Sequence, residues 1–298
     1  MKVEVLLSTY NGERYLNELL ESISDQKFNG DIELLIRDDG SSDKTFQIVD
    51  SWKNKLNIKF IKGKNLGPRD SFGELIKHAN LDFDYFAFCD QDDVWFDNKL
   101  DFAIKKIRGM NRTLYFSNVQ LVDSDLNPLG SNRDRIRPVL SLEGVITANP
   151  ALGCTMVMDR ELMRELKQVK LTPFFMHDVA AIMLAASTGH IKYELQPSMM
   201  YRQHIESVTQ GHDFWKNIKN KVDFWFFQPN ISISKEVDEI LTNFEENIND
   251  DHTKDVLIQV KNYRQGINRF KLAVNKKFRV NSTASNRSFI LRVILGVA

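Results

Sequence analysis

Short apolar runs alternating with amphipathic segments predict an α/β protein built on a mainly parallel sheet flanked by helices. Three observations carry this. Four strand-like runs fall within the first hundred residues, each joined to a helical segment by a short connection, as in strand–helix–strand crossovers. The runs are rich in Val, Ile, Leu and Phe, as strands covered on both faces are. Polar clusters follow the strands, and open α/β sheets bind ligands beyond the carboxyl ends of their strands.

In order, Val3–Leu7 reads as a strand. Glu13–Ser24 reads as a helix with Leu16, Leu19, Leu20 and Ile23 at helical spacing. Ile32–Ile36 is a second strand, ended by Asp38-Asp39-Gly40-Ser41-Ser42, and a helix with Phe46, Val49 and Trp52 on one face follows. Ile58–Ile61 is a third strand, and Asp70–Ala79 a helix built on Phe72, Leu75, Ile76 and Ala79. Tyr85–Phe88 leads into Asp90-Gln91-Asp92-Asp93, and Asn98–Met110 is a helix with Ala103, Ile104 and Ile107. From Thr113 to Gly211 the pattern loosens into mixed strands, loops and helices. After a boundary near residue 212 helix signals dominate, giving a catalytic region 1–211 (halves about 1–112 and 113–211) and a helical region 212–298.

At 298 residues the chain is long enough for one catalytic domain of about 200–250 residues plus an appendage. Its 42% hydrophobic and 27% charged content is that of a globular protein with a large core. Lys+Arg and Asp+Glu both number 40, so charge supplies no argument for a nucleic-acid partner. Cys89 and Cys154 have no metal-like spacing and read as buried reduced thiols. The N-terminal stretch lacks a signal-peptide core, and no apolar segment approaches the roughly 20 residues that cross a bilayer. A cytoplasmic protein, soluble or peripheral to the membrane, is expected.

The acidic turn carries the chemistry. Asp90, Asp92 and Asp93 place three carboxylates within four positions at a strand end. Alternate carboxylates there can point the same way and grip a divalent cation, leaving positions open for phosphate oxygens. Asp38 and Asp39 either organise a turn and helix cap or offer a carboxylate to the ring N3–H of uracil or thymine. Tyr10 either packs as a strand-end tyrosine or stacks on that base.

Ser8-Thr9-Tyr10-Asn11-Gly12, Arg37-Asp38-Asp39-Gly40-Ser41-Ser42-Asp43 and Cys89-Asp90-Gln91-Asp92-Asp93-Val94-Trp95, in that order, resemble glycosyltransferase family 2, inverting enzymes of GT-A fold. The Asp-Gln-Asp-Asp-Val-Trp form resembles the bacterial rhamnosyltransferase-like branch, which uses dTDP-rhamnose in surface polysaccharide synthesis. The resemblance spans roughly residues 1–211. It implies that Ser8, Thr9 and Tyr10 line the base pocket and that Asp39 holds the base edge with Asp38 in support. It makes Asp92 the first metal ligand, with Asp90 and Asp93 reaching the ribose, the metal or a metal-bound water. Mg²⁺ or Mn²⁺ is the implied cofactor, since oxygen ligands and phosphate partners favour hard cations. Lys64, Asn65 and Arg69 follow the third strand, where the family contacts nucleotide or phosphate.

The acceptor hydroxyl also needs a base. Asp178, in Phe174-Phe175-Met176-His177-Asp178-Val179, matches the family's acidic base motif, although no tryptophan follows it here; its alternative is a first-turn helix acid. His177 is expected to orient or line the site. Trp95 and the Gly153-Cys154 loop are expected near the acceptor. Arg202 is expected to neutralise phosphate charge, and His204 to complete the metal shell or touch the diphosphate.

The implied donor is a dTDP- or UDP-linked sugar, foremost dTDP-rhamnose, with UDP-Gal, UDP-Glc and UDP-GlcNAc as alternatives. The implied acceptor is a saccharide, free or lipid-linked. A sugar-phosphate nucleotidyltransferase would want a Gly-rich loop after the first strand, where this chain has Ser8-Thr9-Tyr10-Asn11. A non-catalytic sugar-nucleotide-binding assembly subunit is disfavoured by the retained Asp92 and Asp178. Asp123-Ser124-Asp125 resembles a calcium loop but lacks its glycine and glutamate, and reads as a turn. No acid follows Asp255, while Lys and Arg accumulate. With the aromatic His212–Asn230 stretch, this suits either an anionic membrane surface or packing on the catalytic domain or another subunit, including a homo-oligomer.

Overall fold

A computed structural model describes residues 1–203 and 231–298. The boundary near 212, the His212–Asn230 stretch and His204 lie outside the described residues.

The first half follows the predicted alternation: β1 (Lys2–Thr9), α1 (Leu16–Ser24), β2 (Asp31–Asp38), α2 (Thr45–Trp52), β3 (Asn57–Lys62), α3 (Pro68–His78), β4 (Tyr85–Cys89), β5 (Val94–Trp95) and α4 (Lys99–Ile107). Next come β6 (Thr113–Val122), β7 (Pro128–Asn132), α5 (Leu142–Thr147), a 3-10 turn (Gly153–Thr155), β8 (Val157–Asp159), α6 (Arg160–Leu166), α7 (His177–Thr188) and β9 (His190–Arg202). Four helices close the chain: α8 (Ile233–Phe244), α9 (Asp251–Lys261), α10 (Asn268–Val274) and α11 (Thr283–Leu295).

All these strands form one sheet of order β3-β2-β1-β4-β8-β6-β9-β5, with β7 on β6. The β3-β2-β1-β4 half is parallel, as its helical crossovers require. Beyond it the sheet is mixed rather than mainly parallel. β8 runs antiparallel to both β4 and β6, and only β6 and β9 are parallel. Here β6 and β7 form a hairpin, which allows antiparallel pairing.

Alternation along the strands sorts the core into two layers. Val5, Leu7, Leu34, Ile36 and Cys89 pack with α1, α2 and α4, while Leu6, Leu35, Phe86 and Phe88 pack with α3, α6 and α7. Val237, Ile240, Leu257, Phe278 and Phe289 of the C-terminal region join the second layer. Each such side chain contributes roughly 1.5–3 kcal/mol by leaving water. Two local departures have simple causes. α1 begins at Leu16 rather than Glu13, because Asn11 takes a left-handed φ of 47° and the turn closes on the Gly12 carbonyl. Phe46 is exposed and meets Phe60 edge-on at 5.4 Å instead of entering the core.

Register positions the site. Thr9 pairs with Asp38, and Leu7 with Cys89, so Tyr10, Asp39 and Asp90 leave the sheet at one edge.

Candidate active site

The loops after β1, β2 and β4 are tied together by side chains. Gln91 accepts the Tyr10 N–H through Oε1 (2.8 Å) and donates Nε2–H to the Tyr10 carbonyl (2.9 Å). A Cβ on Gly12 would sit 2.5 Å from Gln91 Oε1, so a side chain there would displace the Gln91 amide from its clamp. The clamp leaves the Tyr10 ring half exposed above the sheet edge, as a stacking platform must be.

Asp38 and Asp39 are both buried and organise the turn. Asp38 accepts from Thr9 Oγ1 (3.2 Å), Ser41 Oγ (2.5 Å) and the Ser41 N–H (3.0 Å). Asp39 pairs with buried Arg37 at 2.5 Å and accepts the Leu66 and Gly67 N–H groups at 2.9 Å each. Three of the roughly four acceptor positions of Asp39 are therefore filled, leaving one on Oδ2. Ser8 bonds Ser71 Oγ at 2.6 Å, and Ser71 also accepts from Arg37. Lys64 and Asn65 are exposed on the loop that Asp39 gathers. Arg69 is held by Asp70 and reaches the Thr172 and Phe174 carbonyls, so it braces the segment before α7 instead of standing free for phosphate.

Around the acidic turn, ligand atoms of Asp90, Asp93 and Cys154 lie within 4.8 Å of one another. Asp93 is buried, and neither of its oxygens has a hydrogen-bond partner among the described residues. Burial first, then the neighbouring carboxylates, pushes its proton affinity well up. Asp90 is pushed up to about 7 by burial, by Asp92 and by Asp178. A buried, unpartnered carboxylate crowded by two others is what a bound cation would relieve. The oxygens suit Mg²⁺ or Mn²⁺, whereas burial holds the Cys154 thiol protonated and unsuited to a hard cation.

Asp178 stands in the first turn of α7, behind Gly153. It accepts the Val179 N–H (2.7 Å) and the Asn149 amide (3.3 Å), and burial raises its pKa to about 6. A Cβ on Gly153 would meet His177 Nε2 at 2.8 Å and the Asp178 Cβ at 3.4 Å, so that loop lies directly against the acid. The field of Asp178 on Asp90 joins the two acidic centres.

Three expected site residues are buried in the packing around the site. His177 is sandwiched on Phe72 (3.8 Å, stacked) and Phe88 (4.7 Å, edge-on), and burial lowers its pKa to about 3. It is a neutral packing group beneath Asp178. Trp95 is buried, with the Lys99 ammonium 4.3 Å from its ring centre. Arg202 is buried too; it binds Glu18 and the Asp92 and Ser124 carbonyls, and stacks on Tyr15. Its charge thus fixes the acidic turn from below.

Two residues escaped the sequence reading. Gln91 lies inside the acidic motif, where the flanking carboxylates carry the signal. Lys99 is fully buried, donating to the Cys154 carbonyl (2.6 Å) and touching Met199 Sδ (3.1 Å). It shares a helix face with Ala103 and Ile107, and a lysine on an apolar stripe was the available signal.

The sheet with its flanking helices and helical C-terminal region has the GT-A fold. The chain belongs to glycosyl transferase family 2, whose family model matches residues 4–167. It is a glycosyltransferase. It is 32% identical over 212 residues to the dTDP-rhamnosyl transferase RfbG of Shigella flexneri, covering 66% of this chain and 71% of that protein. Over 96 residues it is 38% identical to TarS of Staphylococcus aureus, a poly(ribitol-phosphate) beta-N-acetylglucosaminyltransferase, covering 31% of this chain but 16% of that protein. The crystal structure of S. aureus TarS 1–349 with UDP-GlcNAc aligns over 100% of this chain and 82% of that chain, with TM-score 0.63 at 20% identity. Among structures of this fold, a mannosyltransferase from Pyrobaculum calidifontis is described with GDP-Man and Mn²⁺, at TM-score 0.51 and 13% identity.

Proposed function

We propose that this glycosyltransferase moves L-rhamnose from dTDP-rhamnose to a saccharide acceptor in cell-surface polysaccharide synthesis, in one inverting, metal-dependent step. The likeness to RfbG supports the donor. The observation that carries the mechanism is the Gly153-Cys154 loop, which has Asp90 within 4.8 Å of the Cys154 thiol and Asp178 directly against Gly153.

In this reading Tyr10 stacks on the base and the remaining Asp39 acceptor position takes its N3–H. Asp92 and Asp90, both half-buried, hold the cation, with Asp93 beneath them. When bound, Mg²⁺ or Mn²⁺ supplies positive charge for the departing diphosphate. Asp178 removes the acceptor hydroxyl proton as that oxygen bonds to the anomeric carbon and the carbon–phosphate oxygen bond breaks. Asn149 and the Val179 N–H aim its carboxylate, and its raised pKa suits a base working near neutrality. No covalent sugar–enzyme intermediate is required.

A family 2 transferase using UDP-GlcNAc is the second reading, favoured by the TarS likeness. Among the described residues no helix is long and apolar enough to cross a membrane. Exposed Phe270, Val274, Leu291 and Leu295 in the basic C-terminal region support peripheral contact with an anionic surface, where a lipid-linked acceptor would reside. The test is titration with dTDP, UDP and GDP, with and without Mn²⁺, then turnover across dTDP-rhamnose, UDP-Glc, UDP-Gal and UDP-GlcNAc. Metal-dependent dTDP binding and dTDP-rhamnose turnover are expected. Nucleotide binding indifferent to metal would remove the assigned cation site, and turnover of UDP-GlcNAc alone would select the second reading.

A further inference from the structure

Beside Asp178 lies a cleft of about 200 Å³ between the catalytic half and the C-terminal helices. One wall is the Val145–Asn149 segment, another is the Phe175, Val179 and Met183 face of α7, and α8 and α11 close it with Glu236 and Arg292. Asn149 belongs both to the cleft and to the base, since its amide donates to Asp178. The Phe175 ring is half exposed at the rim.

The lining is mostly apolar with a few polar groups, the usual make-up of a small-ligand site. Two of those groups are informative. Arg292 Nε is buried and has no acceptor among the described residues, a state that costs free energy unless a ligand oxygen arrives. Glu236 is buried, lies in the field of Arg292, and takes the Phe175 backbone N–H, so α8 holds the segment that leads to Asp178. The volume equals roughly seven waters, room for one monosaccharide unit and not for a chain. Aliphatic walls oppose a ring hydroxylated on every side.

Resting on the acceptor chemistry proposed above, we propose that this cleft is an acceptor subsite for a hexose bearing a methyl-containing substituent, either 6-deoxy or N-acetyl. The methyl packs against Val179 and Ile146, one sugar oxygen accepts the Arg292 Nε–H, and Phe175 covers a ring face. The C-terminal helices thereby contribute directly to acceptor choice.

Saturation-transfer NMR on the full chain tests this with methyl α-L-rhamnoside, methyl N-acetyl-β-D-glucosaminide and methyl β-D-glucoside. Signal is expected for the rhamnoside, the N-acetylglucosaminide or both, identifying the substituent, and only weakly for the glucoside, which has the same aglycone methyl but neither substituent. Arg292→Met and Phe175→Ala should each weaken that binding by about tenfold. Phe175 is at the surface, so its variant should fold even where removal of the buried guanidinium disturbs packing; thermal melts report this. Equal signal from the glucoside, no glycoside signal at all, or unchanged signal in the folded variants would overturn the proposal. Nucleotide titration of the same wild-type preparation reports on the donor site separately, so failure of either reading is distinguishable.

Discussion

As the proposed base, Asp178 concentrates the chemistry in one side chain. Asp178→Asn should lower turnover by about 10²–10⁴, the usual worth of a positioned base, while nucleotide binding measured by calorimetry persists. An unchanged rate would remove it as the base. Its raised pKa also sets a pH limb: activity requires the deprotonated acid, so kcat/KM should fall as pH drops through about 6, well above the ordinary carboxylate range. His177, lowered to about 3 by burial, adds no limb of its own. The family motif singles out Asp178 in the sequence, but it does not tell that the adjacent histidine faces inward. That distinction depends on Phe72 and Phe88, which arrive from other elements. Arg202 misled for a related reason: a strand-end arginine looks available until Glu18 and two carbonyls occupy it.

At the scale of elements, strand ends and their tethers decide the geometry. Gln91→Ala removes both hydrogen bonds between the first and fourth strand ends. It should weaken nucleotide binding about tenfold with little change in melting temperature, because the clamp lies at the exposed rim. Equal affinity in calorimetry would show that the Tyr10 loop holds itself. Gly153→Ala behaves differently, because the new methyl meets an imidazole already packed on two rings. A loss of about 1–3 kcal/mol in denaturant stability is expected, together with reduced turnover. The parallel half of the sheet was legible from its alternating pattern. The mixed half was not, since short strands such as Val157–Asp159 have no periodicity to read and take their direction from tertiary partners.

For the whole molecule, the C-terminal helices share a core with the catalytic layer, so a chain ending at Gln203 would expose Phe174, Ala181 and Met183. Such a truncation should be insoluble or molten by near-UV circular dichroism; a cooperative melt would show instead that the first region folds alone. Stability should also depend on pH through buried acids. Glu4 and Glu236 are each raised to about 7, mainly by burial. The folded state therefore holds their protons more tightly than the unfolded chain does. Their contribution is complete below the ordinary value of 4.5 and is lost as pH rises through about 7. The melting temperature should fall between mildly acidic and mildly alkaline buffer, and Glu4→Gln with Glu236→Gln should flatten that slope. The basic tail was visible in the sequence. Packing on the catalytic domain was one of two readings the sequence left open, because a helix's apolar stripe does not name the surface it will cover.

The two-way amide of Gln91 has a consequence for handling and ageing of the enzyme. Spontaneous deamidation there would delete the donor that grips the Tyr10 carbonyl and insert another anion into a turn already crowded with acids. Old preparations would lose sugar-nucleotide affinity through a change that leaves size, solubility and secondary structure intact. Peptide mass mapping of aged stock would find it.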